Sequence, residues 1–321
     1  MTNGGCMSDD ADKTAAFWGA DRHPDELRYH WLNHPVTREY LQQRISGDPS
    51  VGSLAYWQAK YFPRPLGHAL SLGCGFGGFE RSLLQINGAE HVTGIDVSGG
   101  AIDGARSLAE QGGFADRITY QVFDLNKYSL PAASYDAIFG ISAVHHIENL
   151  EKIFDQCHQA LKPGALLFLD EYIGPTRWQY SDDIKDIINR ILAILPPRFR
   201  RRFHAPGVLA TEAWRPDLLW FETTDPSESI RSADILPELK RKFDIIDFRP
   251  YGGAILHILL SGIAGNFLEL REEDTALLQL MAFLEETLEQ KGIIKSDFAA
   301  IVARPKSKEL ERPALGGSEI G

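Results

Sequence analysis

Cysteine is scarce in this chain. Only Cys6, Cys74 and Cys157 occur in 321 residues. They form no CxxC pair and no metal-ligand spacing, so a disulfide scaffold is not expected and a reducing compartment suits the count. Basic charge is also short. Lys and Arg number 33 against 44 Asp and Glu, for a net charge of -11 and a pI near 5.4. A phosphate backbone needs a basic surface, so nucleic acid is not an expected partner. Long apolar runs are missing. The longest, around Ala254–Ala264, includes His257 and falls short of the roughly 18 residues that a spanning helix needs. The start, MTNGGCMSDDADK, has no basic n-region and no apolar core, so no signal peptide is expected. Together these absences point to a cytoplasmic protein with no membrane span.

What is present is ordinary globular material. Hydrophobic residues make up 44% and charged residues 24%, enough for a real core in one large domain or two modest ones. Residues 1–65 carry clustered aromatics (Phe17-Trp18, Tyr29-His30-Trp31, Tyr56-Trp57, Tyr61-Phe62) and no strand alternation. They read as two or three helices, ended by Pro63 and Pro65. From 66 to 173, short apolar runs alternate with helical stretches. Strands are expected at 69–72, 91–95, 118–123, 135–140 and 165–172, with Lys162-Pro163-Gly164 as the turn into the last. Such alternation implies a doubly wound parallel sheet. It stops over 174–242, a segment with an amphipathic helix at 182–195, an Arg-rich run and scattered Trp. Residues 243–306 return to a strand at 243–248, helical stretches at 255–267 and 272–288, and a last strand at 297–303. Residues 307–321 read as a flexible tail.

Gly73-Cys74-Gly75-Phe76-Gly77-Gly78 follows the first strand and opens a helix. Glycine there permits a tight turn and lets backbone approach a ligand where a Cβ would clash. Asp96 stands 23 positions after Gly73, at the end of the next strand, where a carboxylate can accept hydrogen bonds from both ribose hydroxyls of an adenine nucleoside. The loop alone fits NAD, FAD or S-adenosylmethionine equally.

The rest of the sheet separates these cofactors. The sequence resembles the class I S-adenosylmethionine-dependent methyltransferases, in particular their small-molecule branch, over roughly residues 66–173 and more weakly in the terminal strands. Leu70-Ser71-Leu72-Gly73-Cys74-Gly75-Phe76-Gly77 is similar to the family's first motif. Gly94-Ile95-Asp96-Val97-Ser98 resembles its ribose-binding strand end, and Phe123-Asp124-Leu125 the acid that meets the adenine amino group. Tyr135–Phe139, His145-His146-Ile147 and Leu161–Ala165 resemble its fourth strand, helix and following turn. The resemblance implies a seven-stranded Rossmann-like sheet with the last strand antiparallel, N-terminal helices and an inserted helical cap. It also implies S-adenosylmethionine as cofactor and S-adenosylhomocysteine as product. Ser71, Gly73, Cys74, Gly75, Gly77, Asp96, Val97, Asp124, Leu125 and Ser142 are its implied cofactor residues. One position departs. The family carries an acid two residues before the first glycine, and this chain has Ser71.

Methyl transfer is an in-line displacement, and alignment supplies much of its rate. A hydroxyl acceptor also needs a base. His145 and His146 follow the fourth strand and suit that role near neutral pH, with His145 expected to face the methyl group. Asp170-Glu171-Tyr172 end the fifth strand. Alternation puts Asp170 and Tyr172 on one face and Glu171 on the other, where a carboxylate can orient the acceptor. Tyr172, Arg177 and Trp178 form an aromatic-basic group that suits a planar or anionic substrate. Arg198, Arg200, Arg201 and Arg202 can clamp an anion, although a solvated face is the plainer reading. His257 reads as a core histidine, and Cys74 as a residue chosen for size. No metal constellation is visible, so no metal is expected.

The leading expectation is O-methylation of a small molecule with a histidine base, under a lid formed by residues 1–65 and 174–242. C- or N-methylation is the alternative. A nicotinamide oxidoreductase and a non-catalytic nucleoside-binding module stand further off. The acceptor and the oligomeric state are not legible.

Overall fold

Seven apolar stretches form one sheet in the computed structural model, which describes residues 13–14, 30–268 and 271–307. The strands are β1 (Leu66–Leu72), β2 (Ala89–Asp96), β3 (Ile118–Val122), β4 (Tyr135–Ile141), β5 (Leu161–Tyr172), β6 (Phe243–Gly252) and β7 (Phe298–Pro305). The longer helices are α1 (Pro35–Ser46), α2 (Ser53–Tyr61), α3 (Gly78–Gln85), α4 (Gly99–Gln111), α5 (Leu150–Ala160) and α6 (Asp182–Ile194). They continue with α7 (Leu218–Thr223), α8 (Ile235–Lys242), α9 (Leu256–Leu260) and α10 (Glu272–Gln290). Strand order is β3-β2-β1-β4-β5-β7-β6. Strands β1 to β5 run parallel, and β7 is antiparallel to both its neighbours. The expected doubly wound sheet with a reversed last strand is therefore present.

Successive residues of each strand bury opposite faces. Leu70, Leu72, Ile138, Leu167, Leu169 and Ile301 face Ile153, Phe154 and Cys157 of α5 and Ile235 and Leu239 of α8. Ala69, Phe139, Phe168, Ala300 and Val302 belong to the other layer, with Trp57, Phe62 and Leu83. There the indole of Trp57 sits 5.3 Å from the Phe168 ring, and Phe139 stacks on Phe168 at 4.9 Å. Large aromatics bury the most area per residue, so this cluster anchors α2 to the sheet. Tyr56, Lys60 and Tyr61 of the same helix all donate to Asp247 of β6 (2.6, 2.9 and 2.8 Å).

Three expectations change in detail. Lys162-Pro163-Gly164 is not a free turn. Strand β5 already begins at Leu161, and Gly164 (φ +83°) lies within an irregularity of the β4–β5 register. The stretch 255–267 is not one helix. It breaks at Gly262 (φ +68°) between α9 and a single turn at Ala264–Asn266. Among the described residues of the region expected as a lid, 30–61 cover the sheet beside β6, and Lys13 and Thr14 line the main cavity. Phe17, Trp18, Tyr29 and the tail beyond residue 307 lie outside the described residues.

Parallel register fixes the site. Leu72 pairs with Ile95 and with Gly140, so β1, β2 and β4 end level. Open parallel sheets bind ligands at the carboxyl ends of their strands, and a cavity of about 1300 Å³ opens there.

Candidate active site

One end of the cavity is made mostly of backbone. After β1 the chain passes through Gly73, Gly75 and Gly77 at φ +57°, +50° and +73°, a region that side chains disfavour. Space adds a second demand. A Cβ on Gly73 would stand 2.7 Å from the Ala143 Cβ. The loop is braced from β2: Asp96 accepts the Gly75 N–H on Oδ2 (2.9 Å) and the Ser98 N–H on Oδ1 (2.8 Å), while still lining the cavity. Each oxygen keeps a lone pair for a ribose hydroxyl. Val97, Asp124 and Leu125 continue the wall. Asp124 accepts the Asn126 N–H at 2.9 Å and pairs with Lys127 at 3.4 Å. Gly73, Cys74, Gly75 and Ser142 line the cavity as well, but Ser71 and Gly77 do not. Burial pushes the Cys74 thiol far up, so Cys74 is inert wall.

Ser71 has a neighbour that no linear motif reveals. Glu80, in the first turn of α3, is wholly buried beside the Ser71 hydroxyl. Burial raises its carboxyl to about 7. An acid therefore stands near position 71 after all, on the helix that follows and beneath the glycine loop.

The other end is made of side chains. Ser142 (φ +49°) ends β4 and donates its N–H to the Asp170 carbonyl at 2.8 Å. Fully buried Glu171 accepts the N–H groups of Ala143 and Val144 on Oε1, each at 2.7 Å. Its Oε2 accepts the Nδ1–H of His145 at 2.7 Å. From the inserted segment, the Ser227 hydroxyl donates to Asp225 (2.7 Å) and lies 3.0 Å from His146 Nδ1. With its own proton given to Asp225, Ser227 accepts the Nδ1–H. Both rings thereby turn Nε2 toward Glu228. His145 Nε2 is 3.8 Å from Oε1, and His146 Nε2 is 3.8 Å from Oε2. The segment is held in place through backbone. Ile230 N–H meets the His145 carbonyl (3.2 Å), and Arg177 donates to the carbonyls of Pro226 (2.6 Å) and Glu228 (2.9 Å).

These surroundings separate the two histidines. Burial works against charge on His145, but the hydrogen bond and charge of Glu171 outweigh it and its pKa is raised. Burial and the neighbouring His145 lower that of His146. His146, not His145, lines the cavity. His145, expected to face the methyl group, lies behind His146 at the cavity wall. Glu171 does not line the cavity either. It acts on the loop 143–145 from behind, as a positioning residue.

Other expected residues divide similarly. Of Tyr172, Arg177 and Trp178, only Arg177 lines the main cavity. Tyr172 and Trp178 wall a second cavity of about 70 Å³ with Tyr180, Trp214 and His257. His257 packs on Trp31, Tyr172, Trp178 and Phe298, and burial lowers it to about 3. Arg198 stays 38% exposed and pairs with buried Asp274 at 2.7 Å. One cluster bears on the expected absence of a metal. His145, His146 and Glu228 bring ligand atoms within 4.8 Å of one another. Glu228 lies 82 positions after His146, so no spacing rule could have linked them.

A family profile described as a methyltransferase domain matches residues 70–169. Sterol 24-C-methyltransferase ERG6B of Gibberella zeae is 33% identical over 104 residues, 32% of this chain and 27% of its own length. This chain thus spans under a third of that relative. The 2-methyl-6-phytyl-1,4-hydroquinone methyltransferase of Synechocystis sp. is 26% identical over 271 residues, 80% of this chain and 79% of its own. A solved S-adenosylmethionine dependent methyltransferase from Mesorhizobium loti overlaps 79% of this chain and 98% of its own at 21% identity. Its TM-score of 0.44 is too low to carry weight. Among the described residues no helix is long and apolar enough to cross a membrane. The glycine loop after β1, Asp96 on the cavity wall beside it and the matched stretch 70–169 agree: this part of the chain is similar to a methyltransferase domain.

Proposed function

We propose that the protein transfers a methyl group from S-adenosylmethionine to a small molecule, most simply to a hydroxyl oxygen. One observation carries this reading. A single cavity joins the nucleoside end, at Gly73–Gly75 and Asp96, to a cluster of proton-accepting side chains at His146, Ser227 and the neighbouring Glu228. Alignment across that cavity is the main source of rate, and the cluster is where an acceptor hydroxyl loses its proton. His146 suits this better than His145, because its lowered pKa leaves it neutral at pH 7.

Phe76, Phe123, Ile147, Pro226 and Ile230 share the wall with Arg177 and Glu148, which fits an acceptor with an apolar body and a polar end. Residues 225–230 close the cavity from the insert 174–242, which supports that insert as a specificity cap. A second reading is C-methylation, supported by the sterol 24-C-methyltransferase whose likeness covers the core.

The test is methyl transfer from isotope-labelled S-adenosylmethionine into a host extract, split into small-molecule and macromolecular fractions. Label in a small molecule is expected, and fragmentation of the product decides between oxygen and carbon. Label only in protein or nucleic acid overturns the reading.

A further inference from the structure

The His145–His146–Glu228 cluster has the composition of a catalytic metal centre. We propose that it binds one divalent transition-metal cation of the zinc type at the acceptor end of the cavity. The proposal deepens the methyl-transfer reading and rests on it only for the cation's use; with the cation bound, His146 Nε2 is a ligand, and the cation rather than the imidazole activates the acceptor hydroxyl.

Two imidazole nitrogens and one carboxylate, with further positions open, are the ligand set of catalytic zinc sites and related centres. Imidazole selects such ions over magnesium or calcium, which prefer oxygen. Spacing agrees. Each Nε2 stands 3.8 Å from a Glu228 oxygen, too far for a direct hydrogen bond. Two ligands each about 2.1 Å from a shared ion stand about 3–3.6 Å apart, so a set whose ligand atoms lie within 4.8 Å of one another closes by up to about an ångström or slightly more on binding.

Outer contacts also fit. Metal-bound histidines usually donate their second N–H to a carboxylate or other acceptor, which fixes the ring and its tautomer. His145 does so to Glu171 and His146 to Ser227, itself tied to Asp225. Ser229 donates to Glu228 Oε1 at 2.6 Å. Charge points the same way. Glu171, Asp225 and Glu228 gather around the two rings, while the Arg177 guanidinium beside them is engaged with backbone carbonyls. A dication relieves that excess of negative charge.

Of the three ligands only His146 lines the cavity, beside Ser227, so an acceptor reaches the cation from the His146 side. An acceptor hydroxyl bound there loses its proton more readily, and that proton passes to cavity water. Its oxygen then forms the new carbon–oxygen bond. The carbon–sulfur bond breaks with its electron pair going to sulfur, leaving S-adenosylhomocysteine.

The full chain, stripped by dialysis against a chelator, is titrated with Co²⁺, whose visible absorption reports imidazole–carboxylate coordination. One equivalent is expected to saturate and Zn²⁺ to displace it. His146→Ala and Glu228→Gln should each weaken Co²⁺ binding about 100-fold while S-adenosylhomocysteine still binds, which shows the fold intact. Ser227→Ala should weaken it about tenfold. No saturable spectrum, or one unchanged in both ligand variants, overturns the proposal. Labelled methyl transfer is scored in parallel. Full activity after stripping overturns the cation's part in acceptor activation. Co²⁺ held at the cluster without transfer to any acceptor supports the site and sinks the methyl-transfer reading instead.

Discussion

The two ends of the cavity are made of different material. At the nucleoside end, the wall is the glycine loop, two carboxylates and apolar side chains from consecutive strand ends within residues 73–125. At the acceptor end it is built of side chains from two segments, 142–148 and 225–230, that meet only after folding. The first arrangement suits a ligand that never changes. The second can exchange its acceptor by altering one inserted segment while the sheet stays intact.

Separate construction should show as separate kinetics, and His146→Ala is the largest expected effect. Loss of a proton-accepting group costs about 10²–10⁴ in rate. The expectation is that kcat falls by that amount while S-adenosylhomocysteine affinity stays within about twofold, measured by calorimetry. A matching loss of cofactor affinity would break the comparison. The pH profile sharpens it. A base must be neutral to act, so activity rises with pH through the pKa of that base. In cation-free protein with His146 as base, the acid limb of kcat/KM has its midpoint below His's ordinary 6.5, because burial lowers it. A midpoint above 6.5 assigns the role to His145, which Glu171 raises.

Asp96→Ala is the converse experiment and the next in size. It removes the acceptors for two backbone N–H groups and, on the proposed reading, for the ribose. Charge-assisted hydrogen bonds are worth about 1.5–3 kcal/mol each. A fall in cofactor affinity of about 10²-fold is expected, with kcat at saturating cofactor little changed. A smaller effect follows at the joint between the ends. Gly73→Ala places a Cβ 2.7 Å from that of Ala143, the residue whose N–H Glu171 holds. Both cofactor affinity and kcat should fall, each about tenfold, together with about 1–2 kcal/mol of stability. This is the one substitution expected to move both ends, and an effect confined to one would show them more independent than the packing implies.

How far each end was legible follows from how it is built. The glycine loop, Asp96 and Asp124 stand at strand ends in fixed order, so local pattern and β-α alternation locate them. Strand alternation also put Glu171 on the face opposite Asp170 and Tyr172, and the structure shows Glu171 reaching Ala143 and His145 while Asp170 accepts from Tyr251. What Glu171 does there depends on a turn no pattern specifies. The choice between His145 and His146 was beyond sequence for the same reason, since both rings sit in one single-turn helix, Val144–His146. Glu228 carries no local signal at all, because only tertiary packing returns the insert to the end of β4. Tyr172 and Trp178 misled because aromatic composition is shared by binding walls and by core. Here they enclose the second cavity.

The smallest expected effect concerns Glu80, which the nucleoside end hides beneath its loop. Its carboxyl is raised from 4.5 to about 7, chiefly by burial. The folded state therefore holds a proton there that the unfolded chain has released. The resulting stability is fully present below about pH 4.5 and is lost as pH rises through 7. Asp297, raised by burial to about 8, adds a slope of the same sign at higher pH. Urea midpoints at pH 5 and pH 8 should thus fall with pH in the parent protein. Glu80→Gln should remove part of that fall, about 1–3 kcal/mol, leaving the Asp297 share. The same variant asks whether the buried acid also serves the cofactor. 5′-Methylthioadenosine lacks the amino-acid arm of S-adenosylhomocysteine. If Glu80 is purely structural, the two ligands lose affinity equally. If its charge compensates for Ser71, only S-adenosylhomocysteine weakens, and Ser71→Asp in the Glu80→Gln background restores it.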